Sequence, residues 1–344
     1  MAEAERTMTP SNPADTAAVL QRLRTGVGAK PRTLWGDAWR RFRRHKLAIA
    51  GTIILIFFIV AVIVGPSIYT AVRIAEAERD GITLSRSDRE FRAMMDMLDF
   101  ESVQAPPSLK HPFGTDELGR DILARALFGG RISLLVGFVA MLIAVTLGSV
   151  IGAVAGFFGG KIDQVLMRLT DLFLSLPVLP LLLLTIYLFR EHPVILSLGR
   201  ENGTFVIVVT MIGGLAWMST ARIVRAAFLS LKEKEFVEAA TALGVRRSAI
   251  MFRHILPNAF SPIIVAATLG VGSSIIAEST LSFLGVGFST DTPTWGRLVT
   301  DGNNYLQIAP HMALVPGALI FLTVLSINFM GDGLRDALDP RSRL

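Results

Sequence analysis

Hydrophobic residues in this chain fall into six blocks of about 15 to 27 residues, at 47–69, 132–158, 174–189, 205–219, 260–284 and 312–330. Charged or turn-forming segments separate them. Blocks of that length approach the roughly 20 residues a helix needs to cross a hydrocarbon core of about 30 Å. In lipid no water satisfies backbone N–H and C=O groups, so a spanning segment must close its own hydrogen bonds as a helix. The pattern predicts an all-α integral membrane protein with six transmembrane helices.

Composition agrees. Hydrophobic residues make up 51% of the 344 residues, and mean hydropathy is +0.53, high for a soluble domain of this length. Cysteine is absent, which excludes disulfides, thiolate metal sites and cysteine nucleophiles together. A net charge of +6 would point to nucleic acid in a soluble protein. Here it reflects basic residues retained on one side of a membrane, so lipid is an expected partner and nucleic acid is not.

The distribution of those cations sets an orientation. Arg40, Arg41, Arg43, Arg44 and Lys46 precede the first block and resist translocation, which holds the N-terminus inside. With six spans, the segments placed inside carry 22 Lys/Arg and the two short outside loops carry 3, so both termini are expected in the cytoplasm. The pair Arg40-Arg41 before Phe42 resembles a twin-arginine signal, but the apolar run is too long and no A-x-A site follows. The expected organisation is a flexible cytoplasmic tail at 1–33, an N-terminal segment with the first span at 34–69, an extracytoplasmic loop at 70–131, and a five-helix core at 132–344. That core includes a cytoplasmic loop at 220–258.

This last loop is the most informative segment. From Arg222 to Leu243 it lacks Gly and Pro, and Ile223, Ala226, Ala227 and Leu231 recur at helical spacing. Gly244 stands where a helix would end in a left-handed cap, and a second amphipathic stretch leads to Pro257. The spacing predicts two helices joined at a glycine, lying under the bundle. Ala239 and Ala240 permit close approach of another surface, and Glu238 can fix its orientation.

The run EAATALG, followed after nine residues by HILP, resembles the EAA signature of membrane subunits of bacterial ABC importers. The matching residues are Glu238, Ala239, Ala240, Gly244, Leu256 and Pro257; His254 departs from the usual isoleucine. WRRFRRHKLAIAG, HPFGTDELGRDILARALFGGRISLLVG, LSFLGVG, PTWGRLV and GDGLRDALDPR resemble the dipeptide, oligopeptide and nickel branch, over roughly 34–344. The resemblance implies a type I importer permease of the C type in a bacterial inner membrane. It also implies a B-type permease partner, two ATPase subunits that bind ATP and Mg, and an extracytoplasmic solute-binding protein. The loop around Glu238 would be the coupling helix, and no cofactor would reside in this chain. Peptides are the expected cargo.

The remaining chemistry-bearing residues fit that expectation. No phosphate-binding G-x-x-x-x-G-K-[ST] loop occurs, so the engine would lie in another chain. Neither H-E-x-x-H nor G-x-S-x-G occurs, and no catalytic residue is assigned. Asp116, Glu117 and Asp121 lack the alternating ligand spacing of a calcium loop and read as a turn charge-paired with Arg120 and Arg125. None of the five histidines is paired at metal spacing, so no metal site is expected. Ala140, Ala144, Gly148, Gly152 and Gly156 form a small-residue stripe for helix packing or sliding. Glu278, the one acid inside a block, is expected to face the pathway or a partner subunit, or to bond structurally to Ser279 or Ser282. A secondary transporter or channel acting alone is the alternative; it would need charged or broken helices at mid-membrane.

Overall fold

The computed structural model describes residues 34–79 and 100–338. The expected tail at 1–33, much of the loop at 80–99 and the last residues of the GDGLRDALDPR motif lie outside the described residues. Twelve helices are named here: α1 (Leu34–Phe42), α2 (Lys46–Arg79), α3 (Ile122–Phe158), α4 (Gly160–Ser175), α5 (Val178–Phe189), α6 (Pro193–Ser197), α7 (Arg200–Gly214), α8 (Trp217–Lys232), α9 (Glu235–Ala242), α10 (Arg247–Phe283), α11 (Trp295–Asn303) and α12 (His311–Leu338). Among the described residues the sole β pairing is an isolated bridge between Thr115 and Asp121.

Five stretches are long and apolar enough to cross a membrane: the first part of α2, α3, the pair α7–α8, α10 and α12. The third predicted block behaves differently. Leu176 is extended (φ −79°, ψ 140°) because it precedes Pro177, whose ring disfavours helical backbone at the residue before it. The chain bends by 88° between α4 and α5, so no single straight helix covers 174–189. The second span starts ten residues earlier than its apolar run, because Asp121 caps α3 by accepting from the Leu123 and Ala124 amides at 2.8 and 3.2 Å.

Helix α3 is the central post, packed on α8, α10, α7 and α2. Its small residues allow this. A Cβ added at Gly152 would come within 2.4 Å of the Ala221 carbonyl oxygen, and at Gly148 within 2.6 Å of the Trp217 carbonyl oxygen. The stripe of Ala140, Ala144, Gly148, Gly152 and Gly156 therefore faces inward, with its glycines pressed against α8 of the same chain. At one end of this pair the Arg225 guanidinium grips Asp163 of α4 through two bonds of 2.5 and 2.6 Å, and Lys232 donates to the Phe157 carbonyl at 2.8 Å.

One charged residue resolves a defect within the membrane. Pro66 inside α2 has no N–H, so the Val62 carbonyl lacks its helical donor. Arg131 of α3 donates to the Val62 and Ile63 carbonyls, each at 2.6 Å. The proline is legible in the sequence; its remedy sits on another helix.

Candidate functional site

The segment after α8 is built as a projecting platform. The uninterrupted helix expected from Arg222 to Leu243 breaks at Glu233–Lys234, where Lys234 is extended (φ −89°, ψ 145°). No Gly or Pro marks this break. It lets α9 turn so that Val237 and Ala240 enter a buried cluster with Phe157, Val224, Phe228, Ile250 and Ile255. Tertiary burial thereby outweighs the local preference to continue the helix.

Helix α9 ends in a Schellman turn. The Gly244 amide bonds the Thr241 carbonyl at 3.0 Å and the Val245 amide bonds the Ala240 carbonyl at 3.1 Å. Gly244 has φ +73°, a conformation glycine adopts without steric penalty. Val245 then packs on the same cluster. Beyond it, Ile250–Ile255 winds as a π-helix, with the Leu256 amide reaching back five residues to the Met251 carbonyl. This wide turn lies just before Pro257, which cannot donate. The Asn258 side-chain amide covers the His254 carbonyl at 2.7 Å.

The motif residues divide between two faces. Ala240 and Leu256 point into the cluster, whereas Glu238, Ala239, Gly244 and Pro257 are exposed. Sequence reading did not single out Leu243, which is 83% exposed, nor Phe236, which is 40% exposed. Both are large apolar side chains, Phe236 on α9 and Leu243 at its C-terminal cap, while Val237 and Ala240 anchor the helix. A groove of about 550 Å³ runs along a different side of α9, bordered by Phe158, Lys232, Glu238, Thr241 and Arg247.

Glu278 sits among serines of its own chain. It is fully buried, accepting from the Ser133 hydroxyl at 3.2 Å and the Ser282 hydroxyl at 2.8 Å. Ser133 in turn accepts the Trp295 amide at 3.1 Å, and the Trp295 indole donates to the Ala126 carbonyl at 2.9 Å. The carboxylate thus ties α10 to α3 and α11 within this chain. Inward-facing serines supply the hydrogen bonds that a buried acid requires. Of the two serines expected beside it, Ser282 donates to it directly.

The acidic turn before α3 is closed by arginines. Asp116 accepts from the Arg120 Nε at 2.6 Å, the Arg125 guanidinium at 3.1 Å and the Leu118 and Arg120 amides. Arg125, fully buried, also donates to the Thr290 carbonyl at 3.2 Å and stands 3.7 Å from Asp301, which pairs with Arg297 at 2.8 Å. Burial raises the Asp301 carboxyl above the ordinary range despite Arg297 and Arg125, and burial raises Glu117 likewise. Among the described residues no three His, Asp or Glu side chains gather as a metal site.

Comparison with known proteins agrees with this architecture. The family described as "Binding-protein-dependent transport system inner membrane component" matches residues 148–344, and "N-terminal TM domain of oligopeptide transport permease C" matches 33–78. The chain is 40% identical over 314 residues to the oligopeptide transport system permease protein OppC of Haemophilus influenzae, covering 91% of this chain and 90% of that protein. It is 38% identical over 309 residues to the dipeptide transport system permease protein DppC of Alkalihalophilus pseudofirmus, covering 90% of each. It is 36% identical over 310 residues to the glutathione transport system permease protein GsiD of Escherichia coli, covering 90% and 91%. With this multi-span helical bundle and its projecting α9, the chain belongs to the inner-membrane components of binding-protein-dependent transport systems, in the branch of OppC- and DppC-like ABC permeases.

Proposed function

We propose that this chain is one permease subunit of an ATP-driven peptide importer and that α9 is the surface on which an ATPase subunit acts. The observation that carries the reading is the two-faced α9. Val237 and Ala240 fix it to the bundle, while Glu238, Ala239 and the 83%-exposed Leu243 stand outward. An exposed large apolar residue on an anchored helix presents contact area with little conformational entropy left to lose. The four-residue turn 243–246 joins α9 to α10, whose first turns include the π-helical stretch, so a push on α9 reaches a membrane-spanning helix over a short connection.

In this reading the pathway forms between this chain and a B-type permease. Two ATPase subunits bind ATP and Mg beneath them, and a solute-binding protein delivers the cargo from outside. The retained cations support a cytoplasmic side for α9 and both termini, in a bacterial inner membrane. The names of the relatives, oligopeptide and dipeptide transport systems, support peptides as the cargo. Glu278 serves assembly of the bundle. The test is co-purification from membranes extracted gently with the partner subunits co-expressed, wild type against Glu238→Arg combined with Leu243→Asp. An ATPase that accompanies the wild type and is lost from an equally stable variant is the expected result, with peptide uptake lost in parallel. Equal ATPase recovery with both proteins would overturn the assignment of α9.

A further inference from the structure

The first span carries a groove to which the proposed function assigns no role. Along α2, Phe57, Val60, Val64 and Ile68 follow one another at helical spacing on an exposed face, and Leu123 and Leu127 of α3 wall the same strip. Together they line an apolar groove of about 480 Å³. Its far end is different in chemistry: Tyr69, Arg73 and Lys110 border it there.

Depth explains the combination. At 1.5 Å per residue, Arg73 lies about 40 Å along α2 from Lys46, so the two cations are separated by about the thickness of a bilayer with its headgroups. From Phe57 to Arg73 is about 24 Å, close to one leaflet from the bilayer midplane to the headgroup level. The groove is therefore apolar over acyl-chain depth and cationic at phosphate depth. Arg73 is held in place at that level: its Nε donates to the Tyr69 hydroxyl at 3.1 Å, and its Nη2 lies 3.4 Å from Asp121 and 3.3 Å from His111 Nδ1. The Asp121 charge is shared with the α3 amides that it caps. Lys110 is exposed beside it on the 108–113 loop, whose Leu109 projects fully outward.

We infer that this groove binds one phospholipid with an anionic headgroup, its acyl chain lying along Phe57–Ile68 and its phosphate between Lys110 and Arg73. The acyl strip supplies apolar contact for any phospholipid, and the cations select a negatively charged one through charge-assisted hydrogen bonds. The site is independent of the peptide assignment and rests only on α2 and α3 spanning a membrane.

The test uses the whole importer complex, purified with its partner subunits and titrated with phosphatidylglycerol or phosphatidylcholine in detergent, with bound lipid counted by native mass spectrometry. One phosphatidylglycerol retained per copy of this chain, and much less phosphatidylcholine, is expected. Lys110→Gln should weaken phosphatidylglycerol retention about five-fold, since one near-surface cation is removed. Val64→Trp, which fills the groove from an exposed position, should lower retention of both lipids. Equal retention of the two lipids, or retention unchanged in both variants, would overturn the site. A photo-crosslinking residue at Val64 in native membranes should capture phospholipid; capture of a protein subunit would assign the groove to that partner and overturn the proposal. Peptide uptake by Lys110→Gln that remains normal while lipid retention falls would separate this site from the transport reading.

Discussion

Two charged segments between hydrophobic blocks, the turn before α3 and the stretch around α9, look alike in sequence and fold in opposite senses. In the first, Asp116, Arg120 and Arg125 are almost wholly buried, and both arginines pair with Asp116. In the second, Glu238, Ala239 and Leu243 are exposed, and only Val237 and Ala240 are drawn in. The first is a latch that joins the start of α3 to the 284–301 region through Thr290 and Asp301. The second is a surface. The difference lies in whether opposite charges sit where one turn can bring them together: Asp116 and Arg120 are four apart, with Arg125 one turn into α3. On α9 the two acids of the first turn, Glu235 and Glu238, have no nearby cation on the same helix and favour its N-terminus instead.

The strongest way to break this comparison is to open the latch. Arg125→Met leaves Asp116 and Asp301 without their shared cation in a buried setting, and such losses cost on the order of 3–5 kcal/mol. A large drop in the melting temperature of the purified complex is expected; an unchanged one would mean that the network carries no stability. A sharper contrast comes from two adjacent alanines. Ala240→Asp puts a carboxylate into the cluster around Phe228 and should cost about 2 kcal/mol or more. Ala239→Asp, on the exposed face, should stay within about 0.5 kcal/mol by the same measurement while ATPase co-purification fails. Equal thermal losses in the two would erase the distinction between faces.

The smallest effect is a pH slope. Because burial raises Asp301 in the folded state above its unfolded value of about 3.9, the folded chain binds the extra proton between those two values. Stability from this residue is therefore highest below that window and falls as pH rises through it, by at most about 1.4 kcal/mol per unit. The stability difference between wild type and Asp301→Asn, followed by thermal melting from pH 4 upward, should carry that slope. A slope of opposite sign would place Asp301 in a net stabilised ionic pair.

What the sequence made legible was set by local chemistry. The hydrophobic blocks announced the spans, Gly244 announced the turn after α9, and the acid–arginine spacing announced the latch. Pro177 carried a signal for the bend between α4 and α5, because a proline restricts the residue before it, but the continuous apolar run masked it. The break at Lys234 had no local signal, since it is imposed by the burial of Val237 and Ala240. The inward turn of Glu278 was likewise hidden: its partner Ser133 lies 145 residues away, and only the fold brings them together. Leu243 could have been found by asking which residues of α9 remain once one face is assigned to the bundle.

The pairing of Arg131 with the carbonyls freed by Pro66 bears on biogenesis. Taken alone, α2 would enter the bilayer with the Val62 carbonyl lacking its donor, which costs several kcal/mol in hydrocarbon. Taken alone, α3 would carry an arginine nine residues inside its start, at a cost of up to about 3 kcal/mol near mid-membrane. Entering together, each helix removes the other's penalty. The contact between Arg131 and α2 therefore favours insertion of the first two spans as a pair over insertion of either alone.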